Sequence, residues 1–217
     1  AYDLRTNGLQ TAPAGTLEDS VQLARNEITN HLIAAHPELF WVHAGAAALE
    51  AGAVLVVGTW GHGKSTMVTS LCSRGWSYLS DDVVALDTKA RLAVPFHQTP
   101  LVREDPGHDL PRERILELYK TEIDLGRVSI CRRPVPIAAV LLPTFARHAP
   151  AQLLRISPAA AALELLQSCM NFGQHRAAGV GFVCEFVESV PAFRLTFGSG
   201  EAAAELVSEA HACGYSV

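Results

Sequence analysis

A glycine-rich stretch ending in a lysine and a serine is the part of this chain best suited to chemistry. Residues 58–65, Gly-Thr-Trp-Gly-His-Gly-Lys-Ser, match the pattern G-x-x-x-x-G-K-[ST] and follow an apolar run at 53–57. In such a loop the backbone N–H groups converge on phosphate oxygens, the lysine adds a mobile positive charge, and the serine hydroxyl can bind Mg²⁺. The pattern therefore predicts a phosphate site made of Gly58, Thr59, Trp60, Gly61, His62, Gly63, Lys64, Ser65 and Thr66. As the cation of a surface loop, Lys64 is expected to contribute little to the stability of the core.

Two adjacent acids, Asp81 and Asp82, interrupt an apolar strand pattern 17 and 18 residues after Lys64. Neighbouring side chains of a strand face opposite ways, so both acids fit only where a metal, water or a hydrogen-bond network meets them. Phosphoryl transfer needs one carboxylate for Mg²⁺ and one that accepts the proton of the attacking hydroxyl. Asp87 is a competing acid because it also ends an apolar run, but the Thr-Lys-Ala that follows it favours a turn.

His43 is the third candidate, in the segment Phe-Trp-Val-His-Ala-Gly at 40–45. Strand patterns at 40–48 and 53–57 are separated by Glu-Ala-Gly, which predicts a hairpin leading into the glycine-rich loop. That hairpin would place His43 beside the phosphates. A histidine in an apolar strand is also commonly a hydrogen-bonded core residue, and the local pattern does not decide between the two roles.

The surrounding elements must bring these residues to one edge of a sheet. Helical spacing predicts helices at 17–33, 64–74, from 158 onward and at 200–213, the third of them capped by Ser157. Strand patterns lie at 40–48, 53–57, 78–86, 92–96, 137–142, 152–156, 181–188 and 192–197, the last two predicted to form a hairpin. We expect one domain over 1–217, with a helical lead-in at 1–38 and a substrate or lid segment of loops and one short helix at 99–133.

Composition excludes several classes of protein. The 217 residues are 49% hydrophobic and 18% charged, with a net charge of −5 and no block of lysine and arginine, which disfavours nucleic acid and anionic membranes as partners. Five widely spaced cysteines without a C-x-x-C pair favour reduced thiols. No apolar run approaches the ~20 residues of a membrane span, so the sequence predicts a soluble, cytoplasmic protein. Whether it forms a homo-oligomer stays open.

Together, these motifs resemble a known family. His43, Gly58-x-x-Gly-x-Gly-Lys-Ser65, Arg74-Gly75 and Asp81-Asp82 are similar in type and spacing to the catalytic domain of bacterial HPr kinase/phosphorylase and its small relatives, over about residues 40–87. The resemblance implies an α/β phosphate-loop kinase domain of the HPr kinase and phosphoenolpyruvate carboxykinase type, with a mixed sheet flanked by helices. It also implies ATP and Mg²⁺ as cofactors.

The resemblance assigns a role to each candidate residue. Lys64 would bind and activate the phosphates, with His43 close by as a supporting catalytic group. Ser65 and Asp81 would hold Mg²⁺, and Asp82 would deprotonate an acceptor serine. The chain lacks the Glu-Ile-Arg-Gly-Leu-Gly-like stretch of HPr kinase, which supplies a metal-binding Glu and phosphorylase activity, so phosphorolysis is not expected. Candidates for the missing acid and arginine are Glu104, Glu113, Glu117, Glu122, Arg103 and Arg176.

We therefore expect a kinase that acts on a serine hydroxyl of a peptide or small protein, as in the compact HPr-kinase-like proteins that tailor ribosomal precursor peptides such as lasso peptides. A kinase for a small-molecule hydroxyl is the alternative within the same class. A switch that binds ATP without transferring phosphate is the alternative from another class, although intact Lys64, Ser65 and Asp81-Asp82 argue against it.

Overall fold

The structure is a computed structural model that describes residues 2–6, 9–14, 17–50, 52–59, 61–103, 120–122, 124, 126 and 128–215. The chain divides into two compact units, Ala1–Leu39 and Phe40–Val217. In the described part, no helix is both long and apolar enough to cross a bilayer.

The first unit contains a hairpin and a helix. Strands β1 (Tyr2–Thr6) and β2 (Leu9–Ala14) pair antiparallel, and helix α1 spans Leu17–Ala35. The helix was predicted from its apolar spacing. The hairpin was not, so the lead-in at 1–38 is only partly helical.

The rest of the chain alternates strands and helices. In order, these are β3 (Leu39–Val42), β4 (Ala44–Leu49), β5 (Gly52–Val57), α2 (Lys64–Ser73), β6 (Ser77–Ser80), β7 (Val84–Asp87), β8 (Leu92–Val94), β9 (Leu101–Arg103), β10 (Lys120–Glu122), β11 (Val135–Phe145), β12 (Gln152–Arg155), α3 (Pro158–Gln167), α4 (Phe172–Ser189), β13 (Ala192–Phe197) and α5 (Gly200–Ala212). Within segment 99–133, β9 and β10 pair antiparallel, whereas residues 104–119 lie outside the described part.

Nine of the described strands form one mixed sheet, whereas β1 with β2 and β9 with β10 form two separate pairs. Its main path runs β3-β7-β8-β11-β5-β4-β6, and β13 joins it by pairing with β11 and β12. β11 is parallel to β5 and to β13, whereas β4 is antiparallel to both β5 and β6. The carboxyl ends of β5, β11 and β13 therefore meet at one edge of the sheet.

Helices cover both faces of this sheet. Val54 and Val56 of β5 pack in one apolar cluster with α2 and α5. Leu55 and Val57 of the same strand pack in a second cluster with α3 and α4. A strand buried on both faces needs a continuous apolar run, which is why 53–57 contains no polar residue. The predicted architecture, a mixed sheet flanked by helices, is confirmed.

The prediction of a strand at 181–188 is wrong, because these residues belong to α4. The helix buries Gly179, Val183, Phe186 and Val187, which recur at helical rather than alternating spacing. A side chain at 179 would collide with the helix's own His175, since a Cβ there would lie 2.8 Å from that residue's Cβ. Strand β13 exists as predicted, but it pairs with β11 and β12 instead of forming a hairpin with 181–188.

Two predicted strands, 40–48 and 78–86, are each broken in the middle. The first changes partners at His43: β3 lies beside β7, whereas β4 pairs with β5 and β6. The second breaks at 81–83, which separate β6 from β7. β6 lies beside β4, whereas β7 lies between β3 and β8. Both strands pass from one part of the sheet to the other, and the residues at the two breaks are the histidine and the aspartates singled out by the sequence.

Candidate functional site

The glycine-rich loop connects the end of β5 to the start of α2. Gly61 and Gly63 have φ values of 80° and 91°, in the left-handed region that favours glycine. Gly63 is also confined by packing, because a Cβ at this position would lie 2.9 Å from Cζ of Phe197. These two glycines turn the chain so that α2, of ten residues, starts directly at Lys64. Trp60, a predicted phosphate contact, lies outside the described residues.

Lys64 is buried rather than extended into solvent, with 7% of its surface exposed. Its Nζ donates hydrogen bonds to the carbonyl oxygens of Gly58 at 2.8 Å and Thr59 at 3.3 Å. The expectation that this residue contributes little to stability is therefore wrong in its premise, because the ammonium group holds the two ends of the loop together. The loop is further linked by a 3.1 Å contact between Thr59 Oγ1 and His62 Nε2.

His43 connects Lys64 to Asp82. Its Nε2 lies 3.1 Å from Lys64 Nζ, and its Nδ1 lies 2.8 Å from the backbone oxygen of Asp82. An ammonium group has no lone pair and a carbonyl has no hydrogen, so Nε2 must accept and Nδ1–H must donate. The two contacts require the same neutral tautomer of His43. The ring therefore orients the lysine and the aspartate relative to each other.

Backbone contacts fix the position of His43 from the other side. Its N–H donates to the carbonyl of Ser168 at 2.8 Å, and the Met170 N–H donates to the carbonyl of Trp41 at 2.8 Å. Buried Asn171 accepts from the Trp41 N–H at 3.1 Å. The segment at 168–171 thus acts as a short extra strand along β3. Sequence reasoning missed it, because it lies about 130 residues away and carries no motif.

Asp81 faces inward beneath the loop and is 3% exposed. It accepts hydrogen bonds from the Ser65 hydroxyl and the Asp82 N–H, whereas its Oδ1 is buried with no hydrogen-bond partner. Burial, and secondarily the nearby Asp82, raise the pKa of this carboxyl from 3.8 to about 6, against the opposing effects of Ser65 and Lys64. Gly45 leaves room for Val68 and for this carboxylate, because a Cβ there would lie 2.6 Å from Cγ2 of Val68 and 3.1 Å from Oδ1. Sequence reasoning missed Gly45.

Asp82 faces the other way, with 53% of its side chain exposed. Its φ of 71° lies in the left-handed region, which Asp and Asn tolerate better than most residues. This turn points its carbonyl at His43 Nδ1, and the same ring nitrogen lies 3.4 Å from Asp82 Oδ1. The buried hydroxyl of Ser80 holds the turn by contacting the carbonyls of Val83 and Phe96.

Asp87 lies at the far end of β7 and closes a turn, as its sequence context suggested. Its Oδ1 accepts the N–H groups of Lys89 at 2.8 Å and Ala90 at 2.9 Å. These backbone bonds lower the pKa of its exposed carboxyl. The competing assignment of Asp87 as a site acid has no support in this geometry.

The residues present fit a divalent cation bound together with phosphate. Asp81 Oδ1 is an orphaned buried oxygen, and the Ser65 hydroxyl lies against the same carboxylate. No three His, Cys, Asp or Glu side chains converge anywhere in the described part of the chain. Mg²⁺ prefers such sparse sites, because it keeps several waters and takes one or two protein oxygens plus phosphate oxygens. Ser65 and Asp81 would hold it.

The structure brings together His43, Lys64, Ser65, Asp81 and Asp82, five of the predicted site residues. Thr66 follows in the first turn of α2, and its Cγ2 packs near the start of α5, because a Cβ added at Gly200 would lie 3.3 Å from it. Arg176 is exposed and donates from Nε to the Gly173 carbonyl at 3.1 Å. Its φ of 48° and ψ of −125° kink α4. The side chains of Arg103, Glu104, Glu113, Glu117 and Glu122 lie outside the described part.

Comparisons with known proteins match this chain to solved structures. No family model matches the sequence, and no curated protein does. The fold is similar to the structure of the Hpr(Ser) kinase/phosphatase from Coxiella burnetii, at a TM-score of 0.35 and 13% sequence identity. That alignment covers 80% of this chain and 97% of the other. At this level of similarity, inferences about function must come from the site residues themselves.

Proposed function

We propose that this protein is an ATP- and Mg²⁺-dependent kinase that transfers the γ-phosphate to a hydroxyl group, most simply a serine of a peptide or small protein. The observation that carries the proposal is the buried, unpartnered Asp81 Oδ1 beside Ser65, under a loop whose lysine is linked to a second aspartate. A buried carboxylate oxygen without a hydrogen-bond partner is costly unless a ligand completes it. A Mg²⁺–triphosphate supplies both the cation for Asp81 and the anion for Lys64.

The chain's own residues would act by placement and charge. Backbone N–H groups at the start of α2 and the Lys64 ammonium would bind the phosphate oxygens, and the bound Mg²⁺ would neutralise charge on the triphosphate. Without a nucleotide, Lys64 Nζ makes hydrogen bonds to loop carbonyls and to His43. On nucleotide binding it would replace some of these contacts with contacts to phosphate oxygens. His43 would maintain the relative positions of Lys64 and Asp82 during that change.

Asp82 is the proposed proton acceptor. The acceptor hydroxyl would give its proton to the Asp82 carboxylate as its oxygen bonds to the γ-phosphorus. The bond between that phosphorus and the β–γ bridging oxygen would break, and ADP would leave with the electron pair. The exposed carboxylate of Asp82 supports an acceptor that approaches from solvent, as a peptide segment does.

Transfer can be tested with peptides that contain a single serine, each paired with the same peptide carrying alanine. After incubation with Mg-ATP, intact-mass analysis should show one added phosphate on the serine peptides and none on the alanine peptides. Free serine and glycerol serve as small hydroxyl acceptors. Phosphate on the small acceptors alone would identify a small-molecule kinase. ATP binding without any transfer would identify a binding switch.

Asp82→Asn should lower the transfer rate by about 10²-fold, because the amide does not accept the hydroxyl proton. Asn tolerates the left-handed backbone at this position, so the fold and Mg-ATP binding should be kept. Asp87→Asn is the matched control and should transfer at the wild-type rate. Single-turnover rates at saturating Mg-ATP measure the difference. An inactive Asp87→Asn beside an active Asp82→Asn would reverse the assignment of the two acids.

His43→Ala should slow transfer by about 10²-fold with little change in nucleotide affinity, because Lys64 and Asp82 lose the ring that orients them. Two hydrogen bonds are lost as well, so the unfolding free energy should fall by about 1–2 kcal/mol. Turnover and thermal stability are measured on the same sample. A variant that is destabilised but fully active would show that His43 is only a core residue.

A further inference from the structure

The two sides of the glycine-rich loop differ in chemistry. On the side of β4 and β6, His43 contacts Lys64, Asp81 contacts Ser65, and Asp82 contacts His43. On the side of β11 and β13 lie two aromatic rings, Phe145 and Phe197, at the carboxyl ends of those strands. The first side carries the proposed phosphoryl transfer. The second side has no role in it.

Phe145 is held against the loop with part of its ring uncovered. It is the last residue of β11 and is 40% exposed. Its ring meets buried Phe197 edge-on, with centroids 5.8 Å apart and an interplanar angle of 76°. A Cβ at Gly63 would lie 3.7 Å from the Cβ of Phe145 and 2.9 Å from Cζ of Phe197. The exposed ring therefore stands beside the residue that precedes α2.

The direction of a bound nucleotide follows from the proposed function, on which this inference rests. The phosphate to be transferred must face Asp82, so the other end of the triphosphate leaves the loop away from β4 and β6. In sheets with parallel strands, ligands lie beyond the carboxyl ends of those strands. For β5, β11 and β13, these ends are Val57, Phe145 and Phe197.

We propose that Phe145 is the stacking platform for the base of the nucleoside triphosphate. Every nucleobase has a π face, and stacking on an aromatic side chain depends little on which base is present. Phe197 would fix the ring, because it is fully buried and packs against Gly63 as well. Phe145 would thus distinguish nucleotides from inorganic polyphosphates without distinguishing ATP from GTP.

The test compares Mg-ATP, Mg-GTP and Mg-tripolyphosphate as ligands in isothermal titration calorimetry. Phe145→Ala should raise the Kd for ATP and GTP by similar factors, about 5- to 100-fold, the range for losing one stacked base. The Kd for tripolyphosphate should stay within about twofold. Phe145→Leu, which keeps apolar packing on Phe197, should behave like the alanine variant, whereas Phe145→Tyr should bind like the wild type.

Phe172→Ala is the matched control, since Phe172 is 41% exposed and lies at the start of α4; it should leave all three Kd values unchanged. Unchanged ATP affinity in Phe145→Ala and Phe145→Leu would overturn the proposal. Equal losses for ATP and tripolyphosphate would also overturn it, because Phe145 would then only shape the loop. A wild-type protein that binds ATP but transfers no phosphate would refute the kinase function and leave the stacking site standing.

Discussion

Replacing Lys64 by methionine is expected to lower the rate of phosphoryl transfer by at least about 10³-fold, while the protein stays folded. A full positive charge on the transferring phosphate is worth about 10³–10⁵ in rate where an arginine supplies it, and Lys64 would play the same part. Methionine keeps most of the buried aliphatic stem. The carbonyls of Gly58 and Thr59 lose their donor, so the unfolding free energy should fall by about 1–2 kcal/mol.

Lys89→Met is the control for this change, because Lys89 lies in the turn closed by Asp87 at the far end of β7. It should leave both transfer and stability unaltered. Rates are measured by product mass with each variant at the same Mg-ATP concentration, and stability by denaturant unfolding. If Lys64→Met turns over within a few-fold of the wild type, the glycine-rich loop has no part in the mechanism.

Asp81→Asn should abolish Mg²⁺-dependent transfer and at the same time stabilise the protein without ligands. The folded-state pKa of Asp81, about 6, lies above its reference value of 3.8. Because each pKa unit corresponds to about 1.4 kcal/mol, the ionised group weakens the folded state by about 3 kcal/mol at neutral pH. A neutral amide of the same shape removes that penalty. It also removes the carboxylate that would bind Mg²⁺.

The sign of the pH dependence is fixed by the direction of the pKa change. Between pH 4 and 6 the folded state keeps the proton on Asp81 while the unfolded state releases it, so this group's contribution to stability falls as the pH rises. The unfolding free energy of Asp81→Asn minus that of the wild type should therefore increase from pH 4 to 6 and level off above. Denaturant unfolding in EDTA at several pH values measures it.

Ser73→Ala, an uncharged change at an exposed position at the end of α2, is the control for this stability series, and its difference from the wild type should not vary with pH. A flat curve for Asp81→Asn would mean that Asp81 is not destabilised by ionisation. The observation that carries the proposed function would then lose its energetic basis. Full transfer activity in Asp81→Asn would separately remove this residue from the Mg²⁺ site.

Local signals made much of the site predictable from the sequence. Glycines at 61 and 63 occupy left-handed positions that other residues rarely adopt, so their spacing marks the turn before α2. The apolar run of β5 marks a strand buried on both faces. Asp81 and Asp82 stand out because acids are costly in an apolar strand, and the structure places them where the strand breaks.

Tertiary contacts account for what could not be predicted. The break at His43 depends on the segment at 168–171, which takes over the hydrogen bonds of β3. The burial of Lys64 depends on loop carbonyls that only the folded loop brings together. For α4, the segment 181–188 was predicted as one strand of a hairpin with 192–197, and only its packing against the sheet shows that the spacing of its apolar residues is helical.

The passage of the chain from β6 in one part of the sheet to β7 in the other limits where this chain can change in length. In the pairing of β6 with β4, Tyr78 lies opposite Ala47 and Ser80 lies opposite Ala46. Leu79, between them, has no opposite residue, so β6 has a bulge there. One residue inserted or deleted before Asp81 would exchange its inward position with the outward position of Asp82. Both aspartates would still be present, but neither would be placed for its proposed role, Asp81 at Mg²⁺ and Asp82 at the acceptor hydroxyl. An insertion at 88–90, beyond β7, has no such effect, so the count of residues between the loop and the acids matters as much as their type.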